Sequence, residues 1–231
     1  MLSYEQRRGE IEEYFDRTAA KAWETLTSDK PVGRIRATVR AGRDRMRETL
    51  LSYLPEELHG QRVLDAGCGT GAMATCLSAR GAEVIAVDIS PTLVGHARER
   101  TAADPGPGTI EFHVGDMLDP KLGSFDWVIA QDSFIHYSAD QLVELIGKLC
   151  FRTRRGLAFT FAPRTPLLSV MHVMGKAFPR ANRSPDIRPV SERLLRARLG
   201  QEAASEPFTV GRCERIESGF YKSQAMELVR R

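Results

Sequence analysis

Val63-Leu64-Asp65-Ala66-Gly67-Cys68-Gly69-Thr70-Gly71 is the stretch that decides the reading of this chain. A short apolar run ends in an acid, and three glycines then fall at alternate positions. That pattern predicts a buried strand, a tight turn and a helix from Ala72 to Arg80. Glycines in such a turn let the backbone bend sharply and approach a ligand that a β-carbon would repel. Asp65 sits at the carboxyl end of the strand, where open α/β sheets bind their ligands. A carboxylate there suits a ligand with an ammonium group, whereas a bare helix N-terminus suits phosphate or carboxylate.

The glycines alone leave the ligand open. Gly67, Gly69 and Ala72 also satisfy the dinucleotide pattern G-x-G-x-x-G/A, with Asp88 about 20 residues on as a ribose-binding acid. NAD, S-adenosylmethionine and a purely structural turn all fit. Asp65 and Gly71 narrow the choice, because D-x-G-x-G-x-G resembles the first motif of class I S-adenosylmethionine-dependent methyltransferases. The resemblance implies an α/β fold with a Rossmann-like doubly wound sheet. It also implies S-adenosylmethionine as cofactor and S-adenosylhomocysteine as its product. In that family the acid and the glycine loop, here Asp65, Gly67, Gly69 and Gly71, hold the methionine end. Asp88, closing Val84-Ile85-Ala86-Val87, would hold the ribose hydroxyls, and Asp116 the adenine amino group. Ile89, Met117 and Gln131 complete the expected cofactor set. The three acids end three successive strand-like runs, which a chance glycine cluster would not produce.

A chain of 231 residues is one domain by default, with room for a substantial core. Hydrophobic content of 42% and charged content of 27% are ordinary for a globular protein. The formal charge of +3 gives no general case for nucleic acid. Cys68, Cys76, Cys150 and Cys213 are widely spaced without a C-x-x-C pair, which speaks against a metal site or a disulfide framework. The first residues are charged and lack an apolar signal core. No run approaches the ~18 apolar residues of a membrane helix. These features imply a cytoplasmic protein, with peripheral contact to a membrane still compatible.

Residues 1–54 read as a helical lid. Ile11, Tyr14 and Phe15 share one helix face, and Arg34 to Tyr53 forms a second helix, strongly basic at its start. Residues 55–231 read as the methyltransferase domain. Strands are expected at Val63–Asp65, Val84–Asp88, Ile110–Val114, Trp127–Gln131 and Leu157–Phe161, separated by helices, hence in parallel. Glu214–Ser218 and Met226–Arg230 should add an antiparallel edge, as the resemblance implies. An insertion over about 163–200 breaks the rhythm. It carries eight Lys/Arg against two Asp/Glu and reads as a substrate lid, or equally as an amphipathic helix on the core.

Four further segments narrow the substrate. They are Tyr14-Phe15-Asp16, Asp132-Ser133-Phe134-Ile135-His136-Tyr137, Phe161-Ala162-Pro163-Arg164-Thr165 and Phe220-Tyr221-Lys222-Ser223. Together, in order and across nearly the whole chain, they resemble the magnesium-protoporphyrin IX methyltransferases. That resemblance implies methylation of one propionate of magnesium-protoporphyrin in chlorophyll and bacteriochlorophyll synthesis. A magnesium chelatase subunit enters as an expected partner. The acceptor is a flat apolar macrocycle with two carboxylates. Met171 and Met174 suit an irregular apolar face, and Arg164 can fork onto a carboxylate.

The expected reaction is attack of a carboxylate oxygen on the methyl of a sulfonium. A propionate is already ionised at neutral pH, so alignment and exclusion of water can carry catalysis. The resemblance implies that His136 orients the propionate or takes a proton, and that Tyr14 hydrogen-bonds it. Taken alone, such a histidine and such a tyrosine are more often structural. Two rivals remain open at this point. One is a methyltransferase for a quinone-precursor phenol, where a group of pKa near 10 needs His136 as a base. The other is a porphyrin carrier without chemistry, against which Asp65, Asp88 and Asp116 argue. A nucleic-acid methyltransferase lacks its N-P-P-Y-type motif here, and an NAD oxidoreductase lacks a Tyr-x-x-x-Lys.

Overall fold

The apolar runs become seven strands: β1 (Arg62–Ala66), β2 (Glu83–Asp88), β3 (Thr109–Val114), β4 (Phe125–Ala130), β5 (Thr153–Phe161), β6 (Phe208–Ser218) and β7 (Tyr221–Arg230). A computed structural model describes residues 4–14, 33–101, 106–164, 187–201 and 207–231. The strands form one sheet in the order β3-β2-β1-β4-β5-β7-β6. β1 to β5 pair in parallel, and β7 runs antiparallel to both β5 and β6. The order reverses between β1 and β4, the switch point at which open α/β sheets leave a crevice for ligands.

Six helices accompany the strands among the described residues: α1 (Tyr4–Tyr14), α2 (Arg34–Ser52), α3 (Ala72–Ala79), α4 (Pro91–Thr101), α5 (Ala139–Phe151) and α6 (Glu192–Leu199). The central strands are apolar on both faces because both faces are covered. Leu64, Ile85, Val128, Leu157 and Phe159 pack with Leu142, Leu145 and Leu195 of α5 and α6. Their neighbours Val63, Val84, Trp127 and Ala158 point the other way, into a cluster with Met46 and Leu50 of α2 and Leu77 of α3. Period-two alternation thus divides one sheet between two cores. Each fully buried leucine or phenylalanine contributes about 1.5–3 kcal/mol.

Two expectations change in detail. The edge strands begin at Phe208 and Tyr221, well before Glu214 and Met226. β6 is an edge strand whose Thr209, Arg212, Glu214 and Arg215 are exposed, so its apolar signal fades early. The region 1–54, expected as a helical lid, contains a helix that packs on the sheet. Met46 and Leu50 are fully buried, and α2 is a layer of the core.

The insertion is described only at its two ends. Pro163 bridges Val190 in parallel. The Arg164 amide donates to the Val190 carbonyl at 3.1 Å, and the Val190 amide donates to the Ala162 carbonyl at 2.8 Å. The Arg188 amide donates to the Ile135 carbonyl at 2.8 Å, beside the turn that carries His136. Residues 165–186, with Met171 and Met174, lie outside the described residues. None of the described helices is long and apolar enough to cross a membrane.

Candidate active site

The loop after β1 folds as its glycines require. Gly67, Gly69 and Gly71 have φ of +85°, +53° and +82°. The Gly67 and Cys68 amides donate to the Val87 carbonyl at 2.8 and 3.0 Å, tying the loop to β2. A β-carbon on Gly67 would fall 2.4 Å from that of Ser133, so the close approach it permits is to the loop after β4. Gly69 is different: a β-carbon there would meet nothing within 4 Å. Gly71, the residue before α3, packs α3 against Ala97 of α4, and it does not line the cavity described next.

A cavity of about 280 Å³ opens at the carboxyl ends of β1 to β4. Asp65, Asp88 and Asp116, from the ends of three strands, line it. Gly67, Gly69, Ile89, Met117, Gln131 and His136 line it too. Asp65 is 1% exposed, and among the described residues its Oδ2 has no hydrogen-bond donor. Burial, and then the nearby Asp88, push its pKa up from 3.8 to about 7. Asp88 accepts the Gly69 amide on Oδ2 at 2.8 Å and the Ser90 amide on Oδ1 at 2.9 Å. Burial raises its pKa as well, and those amides oppose the rise. A buried carboxylate oxygen without a donor calls for a cationic donor from a ligand. The α-ammonium of S-adenosylmethionine fits that requirement, and the open side of Gly69 fits its approach.

His136 is 4% exposed, in a short 3-10 turn over Phe134–His136. Phe134 anchors the turn against Phe159, with ring centroids 5.8 Å apart. Ser138 and Gln141 close it with a reciprocal capping box at the start of α5. The turn is therefore held from both sides, with His136 facing the cavity.

α1 crosses the same cavity through residues that the sequence reading passed over. Tyr4 Oη donates to Asp116 Oδ1 at 2.8 Å, and Arg8 Nη1 donates to Asp116 Oδ2 at 2.9 Å. Arg7 Nε donates to the His136 carbonyl at 2.9 Å. Tyr4 also stacks on Tyr137, with centroids 5.6 Å apart and planes 14° from parallel. Burial, Tyr137 and Asp116 hold the Tyr4 hydroxyl far above its ordinary pKa, so it stays a donor. The inward face of α1 is Tyr4, Arg7, Arg8 and Ile11, a helical i, i+3, i+4, i+7 stripe. Arginines in the stripe hid it from a search for apolar periodicity. Tyr14 ends α1, and the role expected of its side chain lies outside the described residues.

Asp132 is the other functional candidate that the reading missed, although it opens a quoted segment. Its φ is +57°, a left-handed conformation that aspartate tolerates at some cost. Its amide donates to Thr160 Oγ1 at 2.7 Å. Its Oδ1 accepts from Tyr221 Oη at 2.9 Å and from Ser223 Oγ at 3.4 Å. Its Oδ2 faces Arg43 Nε of α2 at 3.5 Å. The segments 132–137 and 220–223 therefore meet at one buried carboxylate. Gln131, expected at the cofactor, spends its amide nitrogen on the Arg43 carbonyl at 2.8 Å. Arg40, Arg43 and Arg47 line the cavity, whereas Arg164 is exposed and does not.

Comparison with known proteins agrees with this geometry. Residues 130–230 match the family model described as magnesium-protoporphyrin IX methyltransferase C-terminus, and residues 63–156 match a methyltransferase domain. The chain is 44% identical over 225 residues to magnesium-protoporphyrin O-methyltransferase of Rhodobacter capsulatus, covering 97% of each. It is 28% identical over 222 residues to the Synechocystis protein of that name, covering 95% of each. The crystal structure of magnesium protoporphyrin IX methyltransferase from Synechocystis PCC 6803 with bound SAH superposes with a TM-score of 0.83 at 28% identity, covering 96% of this chain and 99% of that one. The fold of this chain, its three strand-end acids and its relationship over nearly its full length give one answer: it belongs to the magnesium-protoporphyrin O-methyltransferase family.

Proposed function

We propose that this protein transfers the methyl group of S-adenosylmethionine to a propionate carboxylate of magnesium-protoporphyrin IX. The product is the monomethyl ester of (bacterio)chlorophyll synthesis. The observation that carries the reading is the convergence of Asp65, Asp88, Asp116 and His136 on one cavity. Bound, the cofactor supplies an electrophilic methyl on a sulfonium. Asp65 holds its ammonium group, Asp88 its ribose hydroxyls and Asp116 its adenine amino group, with Ile89 and Met117 beside the ring system. Gly67 contributes by letting the 133–136 loop close on β1.

The protein does not have to create a nucleophile, because a propionate is ionised at neutral pH. Its work is alignment: the oxygen must sit in line with the methyl and its leaving sulfur. His136, fixed in a turn held by Phe134 and the α5 cap, orients the carboxylate, and Tyr14 assists from the end of α1. Closing α1 over Asp116 and His136 excludes water, which stabilises the separate ions more than the charge-dispersed transition state. A phenol acceptor would ask His136 for full proton abstraction, and a carrier would leave the buried Asp65 without a cation.

Docking on a magnesium chelatase subunit and peripheral contact with a photosynthetic membrane belong to the same proposal. An apolar macrocycle is poorly suited to free diffusion in water, and either contact would shorten its path. The deciding experiment is incubation with magnesium-protoporphyrin and methyl-labelled cofactor, followed by mass spectrometry. One added methyl, removed by ester hydrolysis, is the expected result. Absence of transfer to the porphyrin, with transfer to a catechol instead, would overturn it.

A further inference from the structure

We propose that the arginine face of α2, formed by Arg40, Arg43 and Arg47, is the subsite for the carboxylate of the substrate that does not react. The inference rests on the reading above in taking the substrate to be a dicarboxylic porphyrin. It moves the reading of the second propionate from Arg164 of the insertion, which is exposed and does not line the cavity, to the helix that walls it.

Positions 40, 43 and 47 fall at i, i+3 and i+7, so the three side chains rise from one helix face. All three line the cavity, while Arg45 of the same basic run is exposed. The height of this face is fixed by packing. Gly42 lies against Tyr221 at the start of β7, which is level with the carboxyl ends of the parallel strands because β7 runs antiparallel to β5. Arg43 is held there by Asp132. Arg40 precedes it by three residues, about 4.5 Å further along the axis, on the side where Thr38 meets the β6–β7 turn at Gly219.

Size and charge point the same way. A cavity of about 280 Å³ falls just below the usual range of small-ligand pockets, so a macrocycle does not fit inside it beside a cofactor. The macrocycle must lie across the mouth, with one propionate reaching inward. Asp44, Asp65, Asp88, Asp116 and Asp132 line the cavity and repel a dianion, and two of them are already met from α2, Asp44 by Arg47 and Asp132 by Arg43. The arginine wall opposes that repulsion from the α2 side. A guanidinium on the reacting oxygen would stabilise the charged ground state more than the charge-dispersed transition state. The same contact on the other carboxylate strengthens binding without that penalty.

The test uses Arg40→Gln, Arg47→Gln and the double variant. Arg43 is spared, because its loss would leave Asp132 buried without its cation. Dissociation constants are measured for magnesium-protoporphyrin, for the two monoacid analogues with one propionate replaced by ethyl, and for S-adenosylhomocysteine. The double variant should bind the diacid at least tenfold more weakly, about 1.4 kcal/mol. It should bind the monoacid that wild type methylates within twofold of wild type, and S-adenosylhomocysteine likewise. Retained S-adenosylhomocysteine binding also certifies the fold. Equal weakening toward diacid and monoacid would overturn the inference, as would unchanged binding of both. Weakened S-adenosylhomocysteine binding with intact porphyrin binding would overturn it too, assigning the arginines to the cofactor's own carboxylate. If wild type neither binds nor methylates the diacid, the functional reading itself falls and takes the inference with it. If only the variants behave as wild type, the functional reading stands.

Discussion

Gly42 of α2 lies against the ring of Tyr221: a β-carbon on Gly42 would fall 2.6 Å from the ring Cδ1 and 2.9 Å from the tyrosine Cβ. The Tyr221 hydroxyl in turn donates to Asp132, whose other oxygen faces Arg43. One missing methyl group thus sets how closely α2 approaches the catalytic edge of the sheet. Gly42→Ala gains about 1 kcal/mol of helix propensity. Overpacking against a buried ring costs about 1–3 kcal/mol. The ring is pinned at both ends, so the loss should win by about 1 kcal/mol. A urea melt should show a lower midpoint, and porphyrin turnover should fall. A variant more stable than wild type would mean that the ring yields freely.

Asp65, in the role proposed for it, should make cofactor binding depend on pH. Its folded-state pKa, about 7, is raised from 3.8, chiefly by burial. Its contribution to folding is therefore complete below the ordinary carboxylate range and is lost as pH rises toward 7. Cofactor binding reverses the preference, because an ammonium group favours the carboxylate. Binding should expel a proton at pH 6, and affinity should climb by up to tenfold per unit until about pH 7, then level off. Calorimetry in two buffers of different ionisation enthalpy reads the proton directly. Asp65→Asn should flatten the profile. A flat profile in wild type would place the ammonium elsewhere.

The parallel half of the fold was legible for a physical reason. A strand covered on both faces must be apolar throughout, and Val84-Ile85-Ala86-Val87 is an unbroken apolar run ended by Asp88. The three strand-end acids were legible as well: Asp65 and Asp88 close apolar runs, and Asp116 stands two residues after β3. β6 was cut short because an edge strand alternates with solvent-facing charge. The polar half of the site was not legible at all. Tyr4 and Asp116 are 112 residues apart, and no local spacing announces such a contact. Asp132 was in view but was read as a neighbour of His136. Only the fold shows Tyr221 and Ser223 converging on it.

His136 should separate chemistry from binding. It lies buried in the cavity on a turn that Phe134 holds in place independently of the imidazole. His136→Asn preserves a polar side chain of smaller reach. It should reduce kcat by about a hundredfold, the scale expected when a positioning contact at the reacting oxygen is lost. S-adenosylhomocysteine affinity should stay within about twofold, because the contribution lies in the transition state. Turnover within a factor of about two of wild type would make the histidine a structural element of the turn.

Asp116 is gripped by α1, and its proposed contact with the adenine should couple that helix to the cofactor. A carboxylate offers about four acceptor sites. Tyr4 Oη and the Leu118 amide occupy two on Oδ1, and Arg8 occupies one on Oδ2. One acceptor site on Oδ2 remains for the adenine amino group, so cofactor and closed helix can share the acid. The cofactor should therefore slow amide exchange across residues 4–14. The clamp is one partly buried hydrogen bond and one partly exposed ion pair, together worth about 1–2 kcal/mol after screening. Tyr4→Phe with Arg8→Ala should speed exchange of that segment by about tenfold or more while leaving α5 unchanged. It should also remove most of the slowing by cofactor, because the helix no longer grips the acid that the adenine meets. Hydrogen-exchange mass spectrometry with and without S-adenosylhomocysteine measures both effects. Identical exchange in the variant and wild type would show that α1 is held by Arg7 and Ile11 alone and does not sense the cofactor through Asp116.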